Sequence, residues 1–223
     1  MPMTPPDYAW HFTPGSAFAR DNGTTGTLAP VVIGDVTLPT GRVVACDPFV
    51  LLGSGDAEPF AVTVAPGRYR AEAAVATLVS PDTPQGAVPH TRVVAARLVI
   101  RDAPAVSWEM AVEAGQDPSL LGEDEFYGYG VDAGTGCFYD AAADGSFPGT
   151  EEEEGAVWAA METVGHGPAV FLAEGEDGHT LAGFTSGWGD GCYPTWIGRD
   201  AEGRVTCFVT DFLVVPPRAS ASA

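Results

Sequence analysis

Two segments of this chain concentrate residues that could do chemistry. The first runs Thr185-Ser-Gly-Trp-Gly-Asp-Gly-Cys-Tyr-Pro-Thr-Trp-Ile-Gly-Arg-Asp200, with large aromatics, hydroxyls and an internal aspartate set between glycines. The second, Phe126-Tyr-Gly-Tyr-Gly-Val-Asp-Ala-Gly-Thr-Gly-Cys-Phe-Tyr-Asp140, repeats that style. Apolar walls with a few directed polar groups are the makings of a concave binding surface. If the two segments converge, Asp190 and Asp132 become its acidic pair, with Tyr193 and Thr135 orienting polar groups. Trp188, Trp196, Tyr127, Ser186 and Phe138 would then hold the substrate. A carboxylate walled by aromatic rings has its charged form disfavoured, and its pKa rises toward that of a useful general acid or base. The competing role for both aspartates is the ordinary one of bonding backbone amides in tight turns.

Several single residues carry weaker signals. Asp211 shares a strand face with Val205, Cys207, Val209 and Leu213, an apolar row broken by one charge, so it needs a partner such as Arg199 or Arg42, or must stay protonated. His166, between glycines, is either a proton shuttle or an exposed loop residue, and His179 follows a turn and is expected to face water. Glu109 interrupts the apolar run Val106–Val112 and is either an inward catalytic acid or an outward strand position, the second being preferred.

Familiar catalytic patterns are missing: there is no G-x-S-x-G, no H-E-x-x-H and no EF-hand loop. Gly187-Trp-Gly-Asp-Gly191 is not a dinucleotide-binding fingerprint, and its acid would repel a pyrophosphate. Cys137 and Cys192 lack a basic neighbour to make a thiolate. The expectation is chemistry without metal or cofactor.

Thirty acids face ten bases, all arginine, for a formal net charge of −20 over 223 residues. Such a surface repels nucleic-acid phosphates and anionic lipid, so neither is an expected partner. A small-molecule substrate is expected, and a protein partner or a homodimer is compatible with the chain. No apolar run approaches the ~20 residues that cross a bilayer. The start, Met1-Pro-Met-Thr-Pro-Pro-Asp-Tyr8, lacks the basic and apolar parts of a secretory signal. The scattered cysteines 46, 137, 192 and 207 read as reduced and partly buried. Together these predict a cytoplasmic protein.

The elements that must position the two segments are mostly strands. Residues 1–27 read as an extended arm, 28–215 as a single β-rich domain and 216–223 as a disordered tail. Apolar, β-branched runs split by turn residues fall at Val31–Leu38, Arg42–Pro48, Phe60–Val64, Arg68–Val79, Thr91–Ile100, Ala169–Ala173, Thr180–Thr185, Trp196–Arg199 and Val205–Val214. The last two pair across Asp200-Ala-Glu-Gly203. This pattern predicts a mainly β protein, a sandwich or barrel-like set of antiparallel sheets, with one or two short helices. The longer helix starts where Thr150 and Glu153 form a capping box, with Glu151–Glu154 in its first turn. Its apolar face is Val157, Trp158, Met161 and Val164, and Gly165 stops it. Asp117-Pro118 opens a shorter one.

The segments Gly41–Pro48, Tyr129–Phe138 and Ser186–Pro194, with Gly198-Arg-Asp-Ala-Glu-Gly-Arg-Val205 and Asp211-Phe212, resemble the bacterial domain-of-unknown-function family numbered 4241 over about Val31 to Val215. The resemblance implies a single β-rich cytosolic domain and names no catalytic residue. The all-arginine basic set and the Ala/Gly/Pro-rich loops resemble those of a high-GC actinobacterium, where natural-product and toxin–immunity genes are associated settings. The first functional expectation is a cofactor-independent acid/base enzyme, a lyase or cyclase performing dehydration, isomerisation or addition–cyclisation on a bulky, partly apolar molecule of natural-product type. The alternative is a non-catalytic acidic interaction protein, such as an immunity factor for a basic toxin.

Overall fold

The computed structural model describes residues 1–84, 87–88, 90–150, 153–164 and 169–217. In chain order the elements are α1 (Tyr8–His11), β1 (Ala17–Ala19), β2 (Thr25–Leu38), β3 (Val43–Cys46), α2 (Pro48–Leu51), β4 (Gly67–Val79), β5 (His90–Val99), β6 (Ser107–Met110), β7 (Gly128–Val131), β8 (Thr135–Asp140), α3 (Gly155–Glu162), β9 (Val170–Glu174), β10 (Thr180–Thr185), β11 (Gly191–Arg199) and β12 (Val205–Asp211). The chain is therefore mainly β, with few and short helices, as its β-branched runs and turn residues require.

The strands form two antiparallel sheets. The larger has the order β1-β2-β4-β5-β12-β11-β6, with β7 also pairing β11, and the smaller the order β3-β8-β10-β9. Alternation along β8 and β10 divides the smaller sheet's side chains between two cores. Phe138, Ala182 and Phe184 face the larger sheet and join Leu38, Val94, Leu98 and Phe208. Cys137, Tyr139 and Leu181 face the other way, onto Val157 of α3 and Leu52 beyond α2. The result is three layers: large sheet, small sheet, and a cover of short helices. Gly183 allows this packing, because a Cβ there would sit 2.1 Å from the Phe171 ring.

Most predicted strands are present, and the hairpin of β11 and β12 turns at Asp200–Gly203, where the Gly203 N–H donates to the Asp200 carbonyl at 2.9 Å. Phe60–Val64 is an exception. Its N–H groups donate to three separate places, Phe60 to Val43, Ala61 to Val112 and Val64 to Gly41, so the segment bridges neighbours and never runs alongside one. The arm over residues 1–27 is also more structured than its composition suggests. It contains α1, β1 and the start of β2, and it buries Tyr8, Phe12 and Phe18 against the large sheet.

The capping box expected at Thr150 does not start the long helix. Helix α3 begins at Gly155, and the Thr150 hydroxyl donates to the Phe147 carbonyl at 2.8 Å. Glu154 N–H closes a turn onto Gly149, and Glu153 stands at φ +58. Burial decides the matter: Thr150 is 3% exposed because its carbonyl receives the Trp158 indole N–H at 2.8 Å, which fixes it before the helix. The expected apolar face holds, with Val157 buried and Met161 and Val164 packed beside it. Glu151, Glu152, the proposed stop at Gly165 and the tail from residue 218 lie outside the described residues. At Asp117-Pro118 a single 3-10 turn, Pro118–Leu120, forms with the Asp117 carboxylate accepting from Ser119 N–H at 2.9 Å. No helix among the described residues is long and apolar enough to cross a membrane.

The sheet–sheet core yields a direct expectation. Phe138 is fully buried, 5.2 Å from the Phe184 ring. Phe138→Ala should lower unfolding stability by about 3–5 kcal/mol, read from a urea or guanidinium titration. A loss below about 1 kcal/mol would place Phe138 outside the core.

Candidate functional site

The two glycine-rich segments do converge, and one residue that sequence reasoning missed holds them. Asp47 precedes α2, fully buried. One carboxylate oxygen accepts the Phe49 N–H at 3.0 Å and so caps that helix. The other accepts the N–H groups of Asp132 at 3.0 Å and Ala133 at 2.7 Å. Burial pushes the Asp47 carboxyl above its ordinary value, and these backbone bonds oppose the rise. The signal was present: Asp47-Pro48 has the same Asp-Pro cap form as Asp117-Pro118.

The turn held by Asp47 in turn holds the second segment. Gly134 N–H donates to the Asp190 carboxylate at 3.2 Å, and Ser186 N–H donates to the Gly134 carbonyl at 3.0 Å. β7 and β11 pair alongside, Val131 opposite Gly191 and Tyr129 opposite Tyr193. Asp132, Thr135, Ser186, Trp188, Asp190 and Tyr193 thus fall in one neighbourhood. The other predicted residues do not. Phe138 is core, and Tyr127 sits at the far end of β7, its N–H on Met110 Sδ and its hydroxyl donating to the Asp117 carbonyl at 3.3 Å. Trp196 is buried behind β11, near the Tyr8 hydroxyl but with its indole N–H outside hydrogen-bond geometry.

Within the neighbourhood the hydroxyls are already engaged. Tyr193 donates to the Gly189 carbonyl at 2.7 Å and to that of Ser186 at 3.2 Å. The Ser186 hydroxyl also donates to Gly189, at 2.8 Å, and Thr135 donates to Ala133 at 3.3 Å. Burial, then the Asp190 charge, raises the Tyr193 pKa and keeps it a protonated donor. Burial likewise raises the Cys192 thiol, which makes a poor nucleophile. No group of His, Cys, Asp and Glu among the described residues is placed to hold a metal ion.

A cleft lies elsewhere, lined by Ala45, Phe60, Ala111, Glu113, Gln116, Gly128, Tyr129 and Thr195, and none of the predicted site residues lines it. It is a shallow recess with room for about one water molecule, far below the usual range for small-molecule sites. At its mouth Glu113 is half-buried, and burial, reinforced by the charge of Glu58, raises its pKa.

Three further residues have definite places. Arg199 pairs with Glu109, its Nε and Nη2 both donating to Oε1, so Glu109 faces outward and Arg199 is not the partner of Asp211. Asp211 instead accepts the Tyr8 hydroxyl at 3.0 Å and Leu213 N–H at 2.8 Å. His11 lies near enough for its charge to favour the carboxylate. His166 lies outside the described residues.

Burial raises the Asp211 pKa above the ordinary carboxylate value, and His11, the Leu213 N–H and the Tyr8 hydroxyl oppose it. With the folded-state value above the unfolded one, the stability this group contributes is present below about pH 4 and is lost as pH rises through the raised value. Asp211→Asn keeps an acceptor for Leu213 and sets an N–H donor against the Tyr8 oxygen. Its urea midpoint relative to the natural chain should therefore climb from pH 4 to pH 8. Parallel pH profiles would mean that Asp211 ionises in the fold at no cost.

No curated protein and no solved structure matches the chain. A family model does, that of a protein of unknown function (DUF4241), over residues 36–210. That span runs from within β2 almost to the end of β12 and takes in Asp47 and both converging loops. The chain belongs to this family of proteins of unknown function, DUF4241.

Proposed function

We propose that this is a non-catalytic interaction protein that docks a basic protein partner on an acidic surface around the Glu113 cleft. The observation that carries the reading is Glu113, a half-buried carboxylate lining the cleft, which accepts the Gln116 side-chain N–H at 3.2 Å and feels the like charge of Glu58. Neither carboxylate has an arginine within salt-bridge distance among the described residues, although Asp35, Glu72, Glu109, Asp200 and Glu202 all do. A lysine or arginine from a partner would relieve that repulsion and the burial cost together.

The surroundings suit an interface. The 113–125 stretch brings Asp117, Glu123, Asp124 and Glu125 to the surface and raises Leu120, 78% exposed, among them. An apolar contact within a charged rim is common interface anatomy, and an acidic field speeds encounter with a basic partner. The four free cysteines support a reducing, cytoplasmic setting.

The acid/base enzyme, a lyase or cyclase, is the second reading. The observation in its favour is the convergence of the Asp132 turn with Asp190. It ranks lower because Tyr193, Ser186 and Thr135 spend their hydroxyls within their own turns and no predicted site residue lines the cleft.

The test is association with an immobilised arginine-rich peptide at low and high salt. Glu58→Gln/Glu113→Gln should slow association about tenfold at low salt, and raising the salt should erase the difference. A double variant of equal charge, Glu174→Gln/Glu176→Gln, should change the rate less than twofold. Equal slowing in both would reduce the effect to net charge and overturn the assignment of this surface. Under the enzyme reading Asp132→Asn and Asp190→Asn would abolish turnover while shifting the melting temperature by only a few degrees, and they would leave peptide association unchanged.

A further inference from the structure

A cationic locus stands out in a chain so short of bases. At the tip of the Ser186–Asp190 loop Trp188 remains 50% exposed. The Arg20 guanidinium carbon lies 5.2 Å from its ring centroid, that of Arg92 5.3 Å, and the His90 ring 6.1 Å. The tip is firmly seated, since Gly187 stands at φ +57 and a Cβ there would meet Val214 and Phe212 within 2.8 Å. Asp190, two residues on, turns a carboxylate oxygen inward to the Gly134 N–H.

Charge economy makes this placement informative. With acids three to one over arginines, a guanidinium left to itself finds a carboxylate. Arg68, Arg70, Arg97, Arg101, Arg199 and Arg204 all do so. Among the described residues no carboxylate lies within 4.0 Å of Arg20, Arg42 or Arg92, and of these Arg20 and Arg92 meet at one ring. Arg20 gives Nη1 to the Val214 carbonyl at 3.2 Å, and Arg92 gives Nη1 to that of Thr91 at 3.0 Å. Arg92 Nε is buried with no acceptor. Both guanidinium groups lie against one indole, whose ring attracts each but carries no negative charge to neutralise them. The lowered pKa of His90, caused by burial and then by Arg92, agrees with an uncompensated positive field.

We propose that Arg20, Arg92 and Trp188 form a binding site for the oxyanion group, phosphate or carboxylate, of a small ligand. Guanidinium forks are shaped for oxyanions and bond them through paired N–H groups. Trp188 offers an apolar flank for whatever carries the anion. This site lies in a different loop cluster from the Glu113 cleft and stands independently of the proposed partner docking.

Calorimetric titration of the whole chain with inorganic phosphate, and separately with acetate, tests it. Phosphate binding alone assigns a phosphoryl ligand, and binding of both assigns the broader oxyanion class. Arg20→Gln and Arg92→Gln should each weaken binding about tenfold, and Trp188→Ala severalfold. Arg101→Gln, an equal loss of charge elsewhere, should change it less than twofold, and Glu58→Gln/Glu113→Gln should not weaken it. Should Arg92→Gln unfold, Arg20→Gln and Trp188→Ala carry the test, with a thermal melt confirming that both remain folded. No binding of either anion at millimolar concentration, or equal weakening by Arg101→Gln, would overturn the site.

Discussion

The converging loops depend on one buried carboxylate. Asp47 reaches across 85 residues of sequence to take the backbone N–H groups of Asp132 and Ala133 while capping α2 with its other oxygen. A buried carboxylate is costly unless its lone pairs are filled, and three amide donors fill most of them. Asp140 does the same at the other end of the β3/β8 pair, accepting from Thr40, Gly41 and Ala142 N–H groups and from the Thr40 hydroxyl. Gly41 must be glycine there, since a Cβ would lie 1.9 Å from the Val64 carbonyl oxygen. Arginines neutralise the buried Glu72 and Asp200, but at Asp47 and Asp140 backbone amides take that part. Acids that look like chemistry in the sequence are in several places the pins of loops.

That constraint also sorts the functional readings. Asp190 pins the Gly134 turn from the outside as Asp47 pins its neighbours from within. Around it Tyr193 and Ser186 converge on a single carbonyl, that of Gly189. A hydroxyl donating to a carbonyl at 2.7–2.8 Å has its proton committed, and moving it would open the turn that positions it. Rigid loops of this kind suit presentation of a surface residue, and Trp188 is the residue they present. Glu113, which accepts only the Gln116 side-chain N–H at 3.2 Å and feels the like charge of Glu58, lines the cleft instead.

The β-rich architecture and the convergence of the two segments were legible because both rest on local signals: β-branched runs, turn residues and a repeated aromatic–glycine–aspartate pattern. What escaped was long-range. Nothing near Trp196 announces that α1 will cover it with Tyr8, and nothing in Asp211 names a tyrosine 203 residues away as its partner. Thr150 has the right spacing for a cap, yet the burial of Trp158 against its carbonyl overrides local propensity. Asp47 was visible as an Asp-Pro cap, but its second oxygen serves a turn that only the folded chain brings near. Of the polar side chains expected together, Tyr127 lies elsewhere, and the hydroxyls of the rest are bonded within their own turns, since spacing does not reveal which carbonyl a hydroxyl has found.

The acidic surface and the arginine pair at Trp188 are compatible because they act over different distances. At physiological ionic strength the screening length is about 8 Å, so the net charge of −20 governs approach from solution more than contact within a site. A small anion that reaches Trp188 meets two guanidinium groups within 5.3 Å of one ring, closer than that length. The global field slows its arrival, and the local pair holds it once there. A basic protein partner experiences the reverse, an arrival hastened by the whole surface and a contact decided by a few carboxylates. Added salt should therefore separate the two events, slowing the partner's association steeply while easing the arrival of the anion. Among the described residues Arg20 and Arg92 have no carboxylate within 4.0 Å, so their charge stays available locally against the overall field.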